Sequence, residues 1–75
     1  MLPVVDTQRT GERIKELRKS KGLSVVDLAE CVGSISVQSV YKWQTGENFP
    51  SIDNLVILRE LFGVGIDEII VIREV

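Results

Sequence analysis

Serine and glycine residues recur along this chain at short intervals, and their spacing limits the folds that the chain can adopt. A serine side chain can cap the first turn of a helix, and a glycine just after an apolar-periodic segment typically ends one. The capping serines are Ser24, Ser36 and Ser51, and the terminating glycines are Gly22, Gly33, Gly46 and Gly63. The pattern predicts a series of short helices joined by tight turns.

Apolar residues recur at helical spacing between these signals and indicate the bounds of four helices. We expect them at about residues 9–21, 25–32, 37–45 and 52–62. In the first, Ile14 and Leu17 lie among charged residues, which is typical of an amphipathic helix. The fourth is predicted to turn one face to the core, and that face consists of Ile52, Leu55, Leu58 and Phe62.

The end of the chain supports two interpretations. A fifth short helix is predicted at about 66–71, with Asp67 and Glu68 in its first turn, where carboxylates favour the helix dipole. The β-branched run "IIVI" that follows is equally compatible with a strand. Five short helices around one core make up the predicted all-α fold.

The length of the chain limits what it can do. Its 75 residues are expected to form one domain, with a core at about 9–71 and an apolar tail at 72–75. A chain this short buries only about 60% of the surface that its unfolded form exposes, which makes a roomy active-site cleft improbable. There is no histidine and only one cysteine, so no metal cage, disulfide framework or histidine-based catalytic pair is expected. The composition favours binding over catalysis, without a cofactor.

The apolar segments predict a protein of the cytoplasm. The longest apolar runs, at 55–58 and 69–72, are far shorter than the roughly 20 residues that a membrane-spanning helix needs. The opening "MLPVVD" lacks the basic start and long apolar segment of a signal peptide. The lone Cys31 fits a reducing compartment and is expected to fill a small apolar space.

Charge is distributed unevenly along the chain. The net charge of −2 argues mildly against a nucleic-acid partner, but six of the nine basic residues fall in the first third. They are Arg9, Arg13, Lys15, Arg18, Lys19 and Lys21. A solvated helix with alternating charges would give the same pattern, so charge alone leaves both interpretations open.

The third predicted helix has an unusual outer face. At about 100° per residue, Val40 and Trp43 form its core side, whereas Gln38, Lys42 and Thr45 cluster roughly opposite. Side chains of these types can hydrogen-bond base edges in duplex DNA, Gln to adenine and Lys to guanine. A plain exposed helix face is the alternative interpretation.

Three segments of the chain resemble a known family. "GERIKELRKSKGLSVVDLAECVG", "SVQSVYKWQTGENFPS" and "IDNLVILRELFGVGIDEII" together look like a Cro/repressor-type, XRE-like DNA-binding domain over about residues 11–71. The resemblance implies a lambda-repressor-like fold in which helices two and three form a helix-turn-helix, with residues 37–45 as recognition helix in the major groove. It also implies that Ala29 lets the helices cross closely, that Gly33 makes the turn, and that Arg18 bonds to Gln44. The buried positions would be Leu28, Val32, Val40 and Trp43.

The same resemblance implies a set of DNA contacts. The base-contacting residues would be Val37, Gln38, Ser39 and Lys42. The residues that contact the DNA backbone would be Arg18, Ser24, Val25, Ser36, Tyr41, Thr45 and Asn48. Backbone N–H groups at the start of helix two would hold a phosphate, as helix N-termini are suited to do.

Some features depart from the family pattern. Val25 stands where relatives usually have Gln, and Glu47 begins a loop that usually carries Lys or Arg. Both changes predict a weaker grip on the DNA backbone. The turn is one residue longer than usual, with Ser34 and Ile35 ahead of Ser36, which would rotate the recognition helix slightly.

These observations predict a small transcriptional regulator, a repressor, that binds duplex DNA sequence-specifically and is not an enzyme. Because exposed apolar surface generally marks a partner, the tail predicts a homodimer through helix five and residues 72–75 on a pseudo-palindromic operator. No membrane and no small-molecule effector is expected. In one alternative the tail folds back over its own core. In another, the same fold acts as an antitoxin or adaptor through a protein partner.

Overall fold

The computed structural model describes residues 1–75 and contains four α-helices, one 3-10 helix and two short strands. In chain order these elements are β1 (Pro3–Val5), α1 (Thr7–Ser20), α2 (Val25–Val32), α3 (Val37–Thr45), α4 (Ile52–Phe62), the 3-10 helix (Ile66–Glu68) and β2 (Ile72–Glu74). The predicted bounds of α2, α3 and α4 are confirmed. Helix α1 begins two residues earlier than predicted, at Thr7 in place of residue 9.

Side-chain caps explain where the helices begin. The hydroxyls of Ser24, Ser36 and Ser51 each accept a hydrogen bond from the backbone N–H three residues later, over 3.0, 3.2 and 3.2 Å. The carboxylate of Asp6 does the same for Arg9 over 3.0 Å, which is why α1 begins early. A cap of this kind typically contributes about 1 kcal/mol, because it satisfies a backbone donor that has no partner inside the helix.

All four α-helices contribute to one apolar core, together with one residue from the segment after the 3-10 helix. Its buried members are Ile14, Val25, Leu28, Ala29, Val32, Val40, Trp43, Leu55, Leu58, Phe62 and Ile69. The core positions that the family resemblance implied in helices two and three are therefore confirmed. Burying each of the larger side chains contributes about 1.5–3 kcal/mol to folding.

Helix α1 crosses the carboxyl end of α3 at very short range. A Cβ atom added at Gly11 would lie 2.2 Å from the carbonyl oxygen of Trp43 and 2.6 Å from that of Gln44. At the end of α3, Gly46 adopts φ 81° and packs against the backbone of Gln8, where a Cβ would approach the Cα of that residue to 2.7 Å. Only glycine fits at these two contacts.

The prediction of an all-α fold with five helices is wrong at the chain ends. Strand β1 pairs with β2 in an antiparallel ribbon, with Pro3 opposite Glu74, Val4 opposite Arg73 and Val5 opposite Ile72. The predicted fifth helix is reduced to the 3-10 helix Ile66–Glu68. Of the two interpretations of the tail, the strand is therefore the one observed for residues 72–74.

Hydrogen bonds from α1 account for the change from helix to strand. The buried hydroxyl of Thr10 accepts a hydrogen bond from the N–H of Val71 over 2.9 Å, and the N–H of Asp6 donates to the carbonyl of Val71 over 2.8 Å. These bonds hold Val71 against the start of α1. From Ile72, the β-branched residue that follows, the chain continues as an extended strand that pairs with β1.

Two side chains lie on the surface although the sequence predicted them to be inside. Ile52 is 78% exposed, because it is the first residue of α4 and lies beyond the core that Leu55, Leu58 and Phe62 contact. Cys31 is also exposed and does not fill an apolar space. Among the helices, none has both the length and the apolar content required to cross a bilayer.

Replacing Gly11 with Ala should destabilise the protein by about 1–3 kcal/mol, because the added methyl group meets two backbone carbonyls that cannot move independently. Urea unfolding followed by circular dichroism measures this change. Lys15→Ala, at an exposed position of the same helix, should stay within about 0.5 kcal/mol of the parent. Equal stabilities for Gly11→Ala and the parent would contradict the close crossing.

Candidate nucleic-acid interface

Helices α2 and α3 form a two-helix unit that presents one face of α3 to solvent. The turn between them begins at Gly33, which has the left-handed φ of 91°, and ends at Ser36, which caps α3. Val40 and Trp43 hold α3 in the core. The opposite side of the helix is therefore exposed along a row of three residues, which we call the outer row: Gln38, Lys42 and Thr45.

The predicted base-contacting residues differ in position, since Gln38 and Lys42 belong to the outer row whereas Val37 packs against the core. Gln38 and Lys42 are exposed, whereas Val37 and Ser39 are half-buried. The Ser39 hydroxyl lies 3.2 Å from that of Ser36 within the cap. Of these four residues, Gln38 and Lys42 are therefore the two that present hydrogen-bonding groups on fully exposed side chains.

The sequence predicted that Glu47 weakens the grip on DNA but not that its carboxylate lies beside Lys42. Glu47 folds back after the turn at Gly46, and its Oε2 is 3.7 Å from the Lys42 Nζ. The N–H of Asn48 donates to the carbonyl of Lys42 over 3.2 Å, which fixes this loop on the end of α3. Spacing alone gives little sign of the pair, because it depends on the left-handed turn between the two residues.

The start of α2 combines a helix N-terminus with an acidic cap. Ser24 and Asp27 form a capping box, in which the Ser24 N–H donates to Asp27 Oδ2 and the Asp27 N–H donates to Ser24 Oγ, each over 3.0 Å. The Ser24 backbone N–H, and after it the Ser24 hydroxyl, hold the pKa of the Asp27 carboxyl below its ordinary value of 3.8 by hydrogen-bonding its charged form. A negative charge at this end of the helix opposes the attraction of a phosphate to it.

Two predicted DNA-backbone contacts, Arg18 and Val25, are buried. Arg18 is only 8% exposed, and its Nε and Nη1 donate to Gln44 Oε1 over 2.9 Å and to the carbonyl of Leu23 over 2.6 Å. The predicted Arg18–Gln44 hydrogen bond is thus confirmed, but the guanidinium braces the fold and is not a free phosphate ligand. Val25 is 9% exposed, so only its backbone N–H suits the predicted role.

The remaining predicted backbone contacts lie on the surface. Tyr41 is 53% exposed on the flank of α3, and Ser24, Ser36, Thr45 and Asn48 are also exposed. The Thr45 hydroxyl donates to the carbonyl of Lys42 over 3.2 Å, which leaves its oxygen free to accept hydrogen bonds. The chain brings together no group of three or more cysteine and acidic side chains that could hold a metal ion.

Known proteins share this arrangement. A family model described as helix-turn-helix matches residues 14–69. An HTH-type transcriptional regulatory protein of Pyrococcus furiosus is 44% identical over 52 residues, which are 69% of this chain and 16% of that protein. The HTH-type transcriptional activator BcrR of Enterococcus faecalis is 32% identical over 59 residues, 79% of this chain and 28% of that protein. The chain therefore spans less than a third of the length of these curated relatives.

One solved structure has the same fold over nearly its whole length. The restriction-modification controller protein C.AhdI from Aeromonas hydrophila superimposes with a TM-score of 0.76 and is 30% identical. The match covers 85% of this chain and 96% of that one. The agreement extends well beyond the two helices of the turn.

The capping box predicts how stability depends on pH. Because the pKa of Asp27 is lowered in the folded state, its carboxylate stabilises the fold above the unfolded pKa, and this contribution is lost as pH falls through the folded pKa. Asp27→Asn should therefore be less stable than the parent at pH 7, with a difference that shrinks below about pH 4. Urea unfolding between pH 7 and pH 2.5 measures it.

Glu30→Gln, on the exposed surface of the same helix, controls for the loss of one negative charge. A stability difference between Asp27→Asn and the parent that stays constant across this range would contradict the assignment.

Proposed function

The chain belongs to the XRE-type helix-turn-helix family, and we propose that it binds duplex DNA sequence-specifically as a small transcriptional regulator. The observation that carries this proposal is the outer row of α3. Its three side chains are polar without being acidic, and they project from a helix whose other side is fixed in the core. A rigid helix with such a face suits readout in the major groove.

In the proposed complex α3 lies in the major groove and reads bases with its first turns. The Gln38 amide can pair bidentately with the N6 and N7 of adenine, and the Lys42 ammonium can donate to the O6 and N7 of guanine. The exposed part of Val37 would contact a thymine methyl group, and Ser39 would contribute when its hydroxyl turns away from Ser36. Each good bidentate pair discriminates against a wrong base by about 1–3 kcal/mol.

Phosphate contacts would come from the two helix N-termini and from hydroxyl and amide groups near them. The N–H groups of Val25 and Val26 begin α2 and have no acceptor inside the helix. The other groups proposed to contact the backbone are those of Ser24, Ser36, Tyr41, Thr45 and Asn48. Arg18 is left out of this set because it is buried and hydrogen-bonded within the fold.

We propose that the protein acts in the cytoplasm as a homodimeric repressor on a pseudo-palindromic operator. Two copies related by a two-fold axis would place their α3 helices about one DNA turn, ~34 Å, apart. Occupying the operator would be sufficient for regulation, so no catalytic step, cofactor or small-molecule effector is needed. The names of similar proteins include a transcriptional activator and a controller protein, so the direction of regulation is part of the proposal.

A second candidate function is an antitoxin or adaptor that acts mainly through a protein partner. Exposed apolar side chains at the chain ends favour it, since Leu2, Ile72 and Val75 are 71%, 61% and 60% exposed. Stable co-purification with a second, different chain, together with no sequence preference on DNA, would support this alternative.

The proposed function is tested by selection from a randomised duplex library at about 150 mM salt, with sequencing of the bound pool. Enrichment of a two-fold-related motif is the expected result, because two symmetric α3 helices would read two half-sites. A folded protein that enriches no motif would overturn sequence-specific binding. The salt is stated because each neutralised phosphate contributes about −0.9 to the slope of log affinity against log salt.

Gln38→Ala and Lys42→Ala should each weaken binding to the selected site by about 1–3 kcal/mol and relax the base preference at one position of each half-site. The loss follows from removing a bidentate contact in the groove. Titration of the selected site and of single-base variants measures both effects. Arg59→Ala removes a cation from an exposed ion pair on α4 and should leave base preference unchanged. Unaltered preference in both α3 variants would contradict the assignment.

Glu47→Gln should strengthen DNA binding by about 0.2–1 kcal/mol, the usual range of an exposed ion pair. In the free protein the Glu47 carboxylate holds the Lys42 ammonium, and DNA has to displace it. The gain should disappear in a Lys42→Ala background, which a double-mutant cycle measures. Glu60→Gln breaks the comparable exposed pair with Arg59 and serves as control. The same gain with and without Lys42 would mean that Glu47 acts only through its charge.

A further inference from the structure

The terminal ribbon has an outer edge along β2 whose backbone groups have no partner. Leu2 and Val75 exchange two hydrogen bonds of 3.0 Å, and the N–H of Asp6 donates to Val71 over 2.8 Å. In an antiparallel pair, residues alternate between those that bond to the neighbouring strand and those that point away from it. With Val75, Arg73 and Val71 facing β1, the N–H and C=O groups of Ile72 and Glu74 point outward.

The two outer edges of the ribbon differ in their capacity to bond. On β1, the outward positions are those of Pro3 and Val5, and Pro3 has no N–H to donate. A proline of this kind blocks the addition of another strand. On β2, both outward residues keep their donor and acceptor, and all three residues of the strand are exposed. The ribbon is therefore closed to pairing on one side and open on the other.

Side-chain charges select one register for the pairing of β2 with a second copy of itself. If the two-fold axis passed through Arg73, that residue would stand directly opposite its own copy, and like charges in such a pair are destabilising. An axis through Glu74 would place two carboxylates opposite each other. An axis through Ile72 opposes two isoleucines and brings Arg73 against Val71, with no like charges opposed.

We propose that β2 of one protomer pairs antiparallel with β2 of a second, centred on Ile72, to form a continuous four-stranded sheet. The β2 edge would thus be the dimer interface of the regulator proposed above. The inference rests on the proposed function, but the oligomeric state can be measured without DNA. Val5 lies opposite Ile72 within each ribbon, on the same side of the sheet. The dimer therefore aligns four apolar side chains in one row, and in the single chain these residues are 41% and 61% exposed.

Strand number gives an independent reason for the pairing. A two-stranded ribbon is at best marginally stable by itself, and three or more strands with an apolar face are usually needed. Pairing at β2 doubles the number of strands without changing any hydrogen bond in the ribbon. It also removes the open edge, which otherwise invites irregular aggregation.

Sedimentation of the full chain without DNA, at tens of micromolar, tests the inference. The parent protein should be a dimer, and Ile72→Lys should be a monomer, because it places two ammonium groups opposite each other at the two-fold axis. Ile52→Lys makes the same change at an apolar residue of α4 that is 78% exposed, and it should remain a dimer. A monomeric parent, or a dimeric Ile72→Lys variant, would overturn the inference.

Amide hydrogen exchange distinguishes this edge pairing from other dimers. The N–H of Ile72 should be protected in the dimer and exchange freely in Ile72→Lys, whereas that of Arg73 should be protected in both because it bonds to β1. Protection of Arg73 in the monomeric variant also shows that the ribbon is still folded. A dimer in which the protomers exchange their β1 strands would leave the Ile72 N–H unprotected and would exclude edge pairing.

The same measurements separate this inference from the function proposed above. A protein that selects a DNA motif but sediments as a monomer refutes the β2 interface and keeps the function. A dimer with a protected Ile72 N–H that selects no motif supports the interface and refutes the function.

Discussion

The close crossing of α1 over the carboxyl end of α3 is the contact that fixes the candidate DNA-binding helix in place. It requires glycine on both sides, since Gly11 meets the carbonyls at the end of α3 and Gly46 meets the backbone of Gln8. The hydrogen bond from Arg18 to Gln44 joins the same two helices near this crossing. With Val40 and Trp43 buried, α3 is held from the core side over its whole length. A surface held in this way loses little conformational entropy when it binds, which favours affinity and selectivity.

Most charged groups near the candidate interface already have partners in the free protein. Lys42 is paired with Glu47, Asp27 is bound by Ser24, and Arg18 is used inside the fold. Phosphate contacts supply the sequence-independent part of DNA affinity, and base contacts supply selectivity. A protein whose cations are partly neutralised depends less on phosphate contacts for its DNA affinity. In the proposed function, this balance lowers binding to random DNA more than binding to a matched site.

The two chain ends are connected to the helical core through Asp6 and Thr10. Asp6 caps α1, bonds through its N–H to Val71, and places its second carboxylate oxygen 3.9 Å from the Arg73 guanidinium. Thr10, one turn later, accepts from the N–H of Val71. These contacts attach the ribbon firmly to the first turn of α1. Pairing of two ribbons would therefore fix the relative positions of the two helical cores, and with them the spacing of the two α3 helices.

The sequence by itself determined the local elements of this protein. Capping serines, terminating glycines and apolar spacing gave α2, α3 and α4 with their bounds, because each of these signals acts within one or two helical turns. The same spacing gave the outer row of α3 and the buried positions facing it. The Arg18–Gln44 bond was reached through family resemblance, since no local pattern links residues in different helices.

The tertiary structure decided what depends on segments far apart in the chain. Whether residues 72–74 became helix or strand depended on Val4 and Val5 at the other end, which offered a strand to pair with, and on Thr10, which holds Val71. The burial of Arg18, the exposure of Cys31 and the pairing of Glu47 with Lys42 were likewise set by packing and by one left-handed turn. Helix signals are local because the hydrogen bonds they govern are local. A strand and a side chain's environment are completed by distant residues, whose positions exist only once the chain has folded.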